Sequence, residues 1–251
     1  MTTDDVVIDV SQEWVLACDV QERFMQGMGR TGESLDYSAR CRQVRALGGD
    51  CYDFMPLSDT RLALAVGDAS GKGLAAALMI ANVQASLRTA AWFSGNDLSA
   101  LFRVVNQQAY TSSLADRYAT VFYGVFDRVT RTLRYVNAGH NPPVVLRGDG
   151  VVQWLEPSGA PVGMFPDCTY QEHTVQLRPG DLVIAYTDGV IEAANQAGEE
   201  WGVQGLLRAT ADWGARPEGA EGLVQGIFKS MDEFSAGSQS DDATLAILRA
   251  L

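Results

Sequence analysis

RLALAVGDASGKGLAAALMIANVQASLRTAAWF, residues 61–93, decides the fold. Leu62 to Val66 is a short unbroken apolar run ending on Gly67-Asp68, and it reads as a buried strand. SGKG then punctuates the chain. From there a long helix is expected, apolar on most sides and therefore placed between layers. The strand-and-aspartate pairing returns twice. In LRPGDLVIAYTDG, 177–189, a strand from Leu182 to Thr187 ends on Asp188-Gly189, and in SDDATLAILRAL, 240–251, Asp241 and Asp242 stand just before the final strand.

Outward from these anchors, residues 11–28 place Leu16, Val20, Phe24 and Met28 at helical spacing, most simply as a core element. Leu35 to Val44 alternates as a strand leading to Gly48-Gly49-Asp50, and a second helix is expected from Asp97 to Ser112. The runs 119–127, 132–138, 143–147 and 151–155, separated by turn signals, predict an antiparallel meander. Helices over 203–213 and 217–234 precede the last strand. Strands and helices that do not alternate regularly argue for an α+β layered domain rather than a doubly wound parallel sheet. The Gly- and Pro-rich stretch 157–173 reads as a long loop that helps shape a cleft.

A chain of 251 residues, 47% of them apolar, buries a sizeable core, and without repeats or low-complexity linkers it reads as one domain. Its formal charge of -12 repels phosphate backbones, which argues against a nucleic-acid partner. The opening MTTDDVVIDV has no secretion-signal pattern and no apolar run reads as a bilayer span, so a cytoplasmic location without a membrane partner is expected. Four cysteines without a CxxC pair read as reduced thiols. With two histidines in the chain, any metal here is expected to be held by oxygen.

A single aspartate beside a glycine is explained by turn chemistry alone. Asp50, Asp68, Asp188, Asp241 and Asp242 together are not, because carboxylates converging from neighbouring strand ends repel one another unless a cation neutralises them. Oxygen ligands select Mg²⁺ or Mn²⁺ over zinc. Two such ions a few ångströms apart activate water for in-line displacement at phosphorus. Other routes fit poorly. Cys18 to Arg23 is one residue short of a CxxxxxR loop, no GxSxG elbow is present, and GDASGKG lacks both the spacing and the hydroxyl of a P-loop.

GGDCYDF at 48–54, VGDASGKGLAAAL at 66–78, YATVFYGVFD at 118–127, LRYVNAGHNPP at 133–143, GDLVIAYTDGVIEA at 180–193 and SDDAT at 240–244 occur in order. The chain thereby resembles the stage II sporulation protein E and general-stress branch of the PPM metal-dependent protein phosphatases, over about Val20 to Leu248. The resemblance implies a four-layer αββα sandwich of two antiparallel sheets flanked by helices. It implies that Asp68 bridges two Mn²⁺ or Mg²⁺ ions, that the Ala69 carbonyl binds the second, and that Asp188 and Asp241 bind the first. By the same resemblance Asp50 acts through water or on the second ion, and Asp242 has a supporting or third-metal role. Cys51 stands where the branch commonly has an aromatic residue, and the phosphate-gripping arginine of eukaryotic members has no clear counterpart.

The implied activity is hydrolysis of protein phosphoserine or phosphothreonine, with an anti-sigma-factor antagonist as substrate in partner switching. The alternative is a phosphatase-like binding or scaffold module without catalysis, disfavoured because Asp50, Asp68, Asp188 and Asp241 are all present. Lys72 and Gly73 could face a phosphate but read more simply as a turn. His140 reads as a turn organiser ahead of a general acid. Residues 1–30 are expected to form an N-terminal helical element, and 31–251 the catalytic domain. No stretch is long enough for a sensor, so the chain is expected either to act unregulated or to take a regulatory partner, or a second copy, on helix 11–28.

Overall fold

The structure is a computed structural model that describes residues 10–25, 30–31, 34–93, 97–114, 116–214, 216 and 218–251. In chain order the elements are α1 (Val10–Phe24), β1 (Arg30–Thr31), β2 (Leu35–Arg42), β3 (Asp50–Pro56), β4 (Arg61–Ala69), α2 (Leu74–Phe93) and α3 (Leu98–Ser112). Next come β5 (Ala119–Asp127), β6 (Thr132–Ala138), β7 (Val144–Leu146), β8 (Val152–Trp154), β9 (His173–Gln176) and β10 (Leu182–Tyr186). The chain closes with α4 (Asp188–Ile191), α5 (Gly202–Gly214), α6 (Gly219–Ser235) and β11 (Ala243–Ala250).

Two antiparallel sheets form, ordered β1-β2-β11-β10-β7-β8 and β3-β4-β5-β6-β9. The unbroken apolar run of β4 follows from burial on both faces. Leu62, Leu64 and Val66 point between the sheets, against a layer that includes Phe122, Phe126, Val183 and Leu248. Ala63 and Ala65 point outward, under Ile80, Val83 and Leu87 of α2 and Phe102 and Val105 of α3. On the opposite outer face Ile184, Tyr186, Leu245 and Ile247 pack under Leu206 of α5 and Leu223, Val224 and Phe228 of α6. The layering is α-β-β-α. A fully buried Leu, Ile, Val or Phe contributes about 1.5–3 kcal/mol, so these three apolar layers hold the sandwich together.

Several expectations need correction. Runs 119–155 do not form one meander: β5 pairs with β6, whereas β7 pairs with β10 in the other sheet. The crossing falls at Gly139 to Pro143, where Gly139 takes φ 68° and two consecutive prolines remove ladder donors. Helix α1 is not a core element. Leu16, Val20 and Phe24 stay 62%, 50% and 43% exposed. Its expected last residues, including Met28, lie outside the described residues. Helix α2 does have the length and apolarity of a bilayer span, contrary to the sequence reading. One face of it covers the sheet, yet Leu74, Leu78, Trp92 and Phe93 remain exposed, so it is not enclosed on all sides. Strands β1, β3 and β9 and the short helix α4 have no counterpart among the expected elements.

Candidate metal centre

The register of β3 on β4 sets Asp50 opposite Asp68, and the register of β4 on β5 sets Asp68 opposite Thr120. The remaining aspartates stand just beyond the ends of β10 and β11 in the other sheet, so the carboxylates meet at one end of two stacked sheets rather than along neighbouring strands. There β10 and β11 pair up to Tyr186 and Leu245. Just beyond, the Thr187 amide donates to the Thr244 carbonyl at 3.0 Å, and the Thr244 amide to Thr187 Oγ1 at 2.8 Å. Both threonine hydroxyls then donate to Oδ2 of Asp50, each at 2.7 Å. Asp50, 2% exposed, therefore fastens one sheet to the other. Asp188 opens α4 directly after Thr187, and Asp241 lies at the entry to β11.

The electrostatics show an excess of negative charge. Burial first, then Asp188, Asp241 and Asp242, push the Asp68 carboxyl up to about 7, with Lys72 opposing. Asp50 is raised well above the ordinary carboxylate range by burial and then by Asp68, against the two threonine hydroxyls. Asp188 is raised by burial and by Asp241. The cluster calls for a cation, and one is already at its rim: Lys72 Nζ lies 2.6 Å from Asp241 Oδ2 and 3.4 Å from the Ser240 carbonyl.

A hard divalent ion suits this donor set, in which the carboxylates and the Ala69 carbonyl supply oxygen. Among the described residues no three His, Cys, Asp or Glu side chains are close enough to grip a single ion in this conformation. Mg²⁺-like ions do not require three, since they keep several waters and take one or two carboxylates each. The backbone leaves room beside Ala69. Its amide donates to the Gly49 carbonyl at 3.0 Å, and a Cβ on Gly49 would stand 3.1 Å from the Ala69 oxygen. Asp50, Asp68 and Ala69 from one sheet thus face Asp188 and Asp241 from the other.

Asp242 is placed differently. Its Oδ1 accepts from the Val44 amide at 2.8 Å and its Oδ2 from the Gly49 amide at 2.9 Å. Both oxygens hold the loop that delivers Asp50, a strut rather than an open ligand. This needs close approach: a Cβ on Gly48 would stand 2.4 Å from Asp242 Oδ2, and one on Gly189 2.0 Å from the Asp242 carbonyl. Sequence reasoning missed Thr187, Thr244 and these glycine contacts. Gly48, Gly49 and Gly189 beside aspartates carried the signal, whereas nothing in the sequence marks a threonine as a hydrogen-bond donor to a distant carboxylate.

His140 accompanies the site without entering it. It is 2% exposed, its amide donates to Asn137 Oδ1 at 2.8 Å, and its Nδ1 lies 2.9 Å from the hydroxyl of Thr120. Burial lowers its pKa to about 4, only partly opposed by the Tyr186 backbone, and its Nε2 has no hydrogen-bond partner among the described residues. A buried imidazole that is neutral at neutral pH organises the turn and lacks the imidazolium proton a general acid would deliver. All four cysteines are free thiols, and burial pushes those of Cys41 and Cys51 up.

Comparison with known proteins adds to this geometry. Residues 58–251 match the family model of stage II sporulation protein E (SpoIIE). Protein IcfG of Synechocystis is 31% identical over 80% of the chain, although the chain spans just 36% of IcfG. Phosphoserine phosphatase RsbU of Bacillus subtilis is 27% identical over 96% of the chain and 71% of that protein. The solved SiaA-PP2C domain of Pseudomonas aeruginosa superposes with a TM-score of 0.79, covering 96% of each chain at 20% identity, a likeness of fold. The four-layer sandwich, the carboxylates at its end and the matched residues together make this chain a member of the SpoIIE family.

Proposed function

We propose that the chain is a metal-dependent protein serine/threonine phosphatase with two divalent ions, Mn²⁺ or Mg²⁺, held by Asp68, Ala69, Asp188 and Asp241. When bound, the ions supply a water of lowered pKa and offset the charge that develops on the phosphoryl group. The protein does the rest by placement. Asp68, on strand β4 between β3 and β5, faces both halves of the carboxylate set and would hold the ions together with Asp188 and Asp241. Asp50, locked by Thr187 and Thr244, has an orientation fixed before substrate arrives and serves through water or on the second ion. Asp242 keeps the Gly48-Gly49 turn in register, and a third-ion role for it would require giving up a hydrogen bond from the Val44 or Gly49 amide. Lys72 balances the rim charge at Asp241.

The observation that carries this reading is the convergence of Asp50 and Asp68 from one sheet with Asp188 and Asp241 at the strand ends of the other, where burial and the neighbouring carboxylates raise Asp68 and a divalent cation would relieve it. The substrate class follows that of RsbU, a phosphoserine phosphatase. From the family resemblance, a phosphorylated anti-sigma-factor antagonist is the proposed substrate. The apolar face of α1 is the proposed seat of a regulatory partner or of a second copy, with residues 1–30 regulatory and 31–251 catalytic. Hydrolysis of p-nitrophenyl phosphate tests the chemistry: a rate that requires Mn²⁺ and falls at least about a hundredfold in Asp68→Asn and Asp188→Asn is expected. A wild-type protein with no metal-dependent rate would make it a binding module instead.

A further inference from the structure

A cleft of about 590 Å³ opens between the end of α3, the segment entering β5 and the loop around Gly163. Tyr110, Leu114, Arg117, Tyr118, Met164 and Phe165 line it. It is stitched to the turn that follows Asp68-Ala69. The Ser70 amide donates to the Tyr118 carbonyl at 2.8 Å, and the Tyr118 amide to Ser70 Oγ at 3.0 Å. Arg117 Nη1 donates to the Ser70 carbonyl at 2.8 Å. That is the one hydrogen bond of this guanidinium among the described residues, and it leaves most donors of the fork available to an anion.

The far wall is held rigid from inside. Asn106, 1% exposed, donates from Nδ2 to the carbonyls of Phe165 and Pro166 at 3.0 and 3.3 Å. Its Oδ1 accepts from the Gly163 amide at 2.9 Å and the Tyr170 hydroxyl at 3.1 Å. Phe165 is nonetheless 54% exposed. A lone exposed aromatic needs no explanation. One whose backbone is fastened by a fully engaged buried asparagine, lining with Met164 and Tyr110 a cleft that also holds an arginine, is a preformed binding surface.

Resting on the phosphatase reading above, we propose that this cleft seats the peptide of the phosphoprotein substrate. Apolar residues flanking the phosphoserine lie against Tyr110, Leu114, Met164 and Phe165. At the end nearest the carboxylates, the Arg117 fork takes phosphoryl oxygens. In a chain of net charge -12 this cation supplies the local attraction that a dianionic group requires.

The test uses the full chain with Mn²⁺, p-nitrophenyl phosphate, and two phosphoserine peptides whose flanks are either leucine and phenylalanine or glycine. Wild type should prefer the apolar peptide, and Phe165→Ala and Tyr110→Ala should cut the ratio of peptide to p-nitrophenyl phosphate kcat/KM about tenfold. Arg117→Gln should raise KM on all three substrates, with Arg117→Lys restoring part of it. Anisotropy of the labelled peptides on Asp68→Asn protein, in which turnover is blocked, reads the cleft independently of catalysis. Weaker binding of the apolar peptide when Phe165→Ala is added supports the cleft even if the phosphatase reading fails. Equal binding of both peptides, or an unchanged ratio in both aromatic variants, overturns it.

Discussion

Asp50 and His140 are both 2% exposed and both titratable, and their neighbours give them opposite tasks. Asp50 accepts from two threonines and faces other carboxylates. His140 is neutral packing, and its lowered pKa sets a direction for stability. In the unfolded chain a histidine binds a proton near pH 6.5, whereas in the folded chain it does so only near pH 4. Stability is therefore intact above pH 6.5 and lost as pH falls between these values, by roughly 3 kcal/mol if the full shift is realised. Urea unfolding of wild type and His140→Gln at pH 7 and pH 4.5 checks this: the variant should lose less stability on acidification, and parallel losses would refute it. The aspartates were legible as residues because each interrupts an apolar run. Their unequal roles were not, because the bonds of Asp242 to Val44 and Gly49 join positions nearly two hundred apart in the chain.

Among elements, α1 shows most clearly what periodicity leaves open. Spacing alone gave a helix with an apolar face, but spacing does not say whether a partner surface exists within the chain, and here the face stays half exposed. What fastens α1 is polar. Gln21 donates to the Gly48 carbonyl at 2.7 Å and accepts from the Gly48 amide at 3.1 Å, and Gln43 donates to its Oε1 at 2.9 Å. Helix α1 thereby grips the turn that delivers Asp50. Removing a buried partner of two backbone groups costs about 1–3 kcal/mol, and this should be felt at the metal site. In Gln21→Ala the Mn²⁺ concentration for half-maximal rate should rise severalfold, with the rate recovering at saturating Mn²⁺. Superimposable Mn²⁺ curves would separate α1 from the site. Strands β5 and β6 were legible to the residue because alternation and turns agree there, whereas β3 was hidden behind a polar, acidic start.

For the whole molecule, the layered α+β class followed from irregular alternation, and the αββα order from the resemblance. The assignment of strands to sheets did not follow. Crossing between sheets at Gly139 to Pro143 places strands β5–β6 and β7–β8 on different layers, and pairing is a long-range choice that local pattern does not record. This crossing matters to function, because the carboxylates come from both sheets and the site exists only when the sandwich is closed. Mn²⁺ binding should therefore be inseparable from the native fold and should depend on Asp68, the residue facing both halves. Calorimetric titration of Mn²⁺ into metal-free wild type and Asp68→Asn protein tests this most directly. Two ions per chain are expected in the wild type, with loss of measurable binding in the variant, while no binding in the wild type, or equal binding in both, would contradict a metal centre built on Asp68.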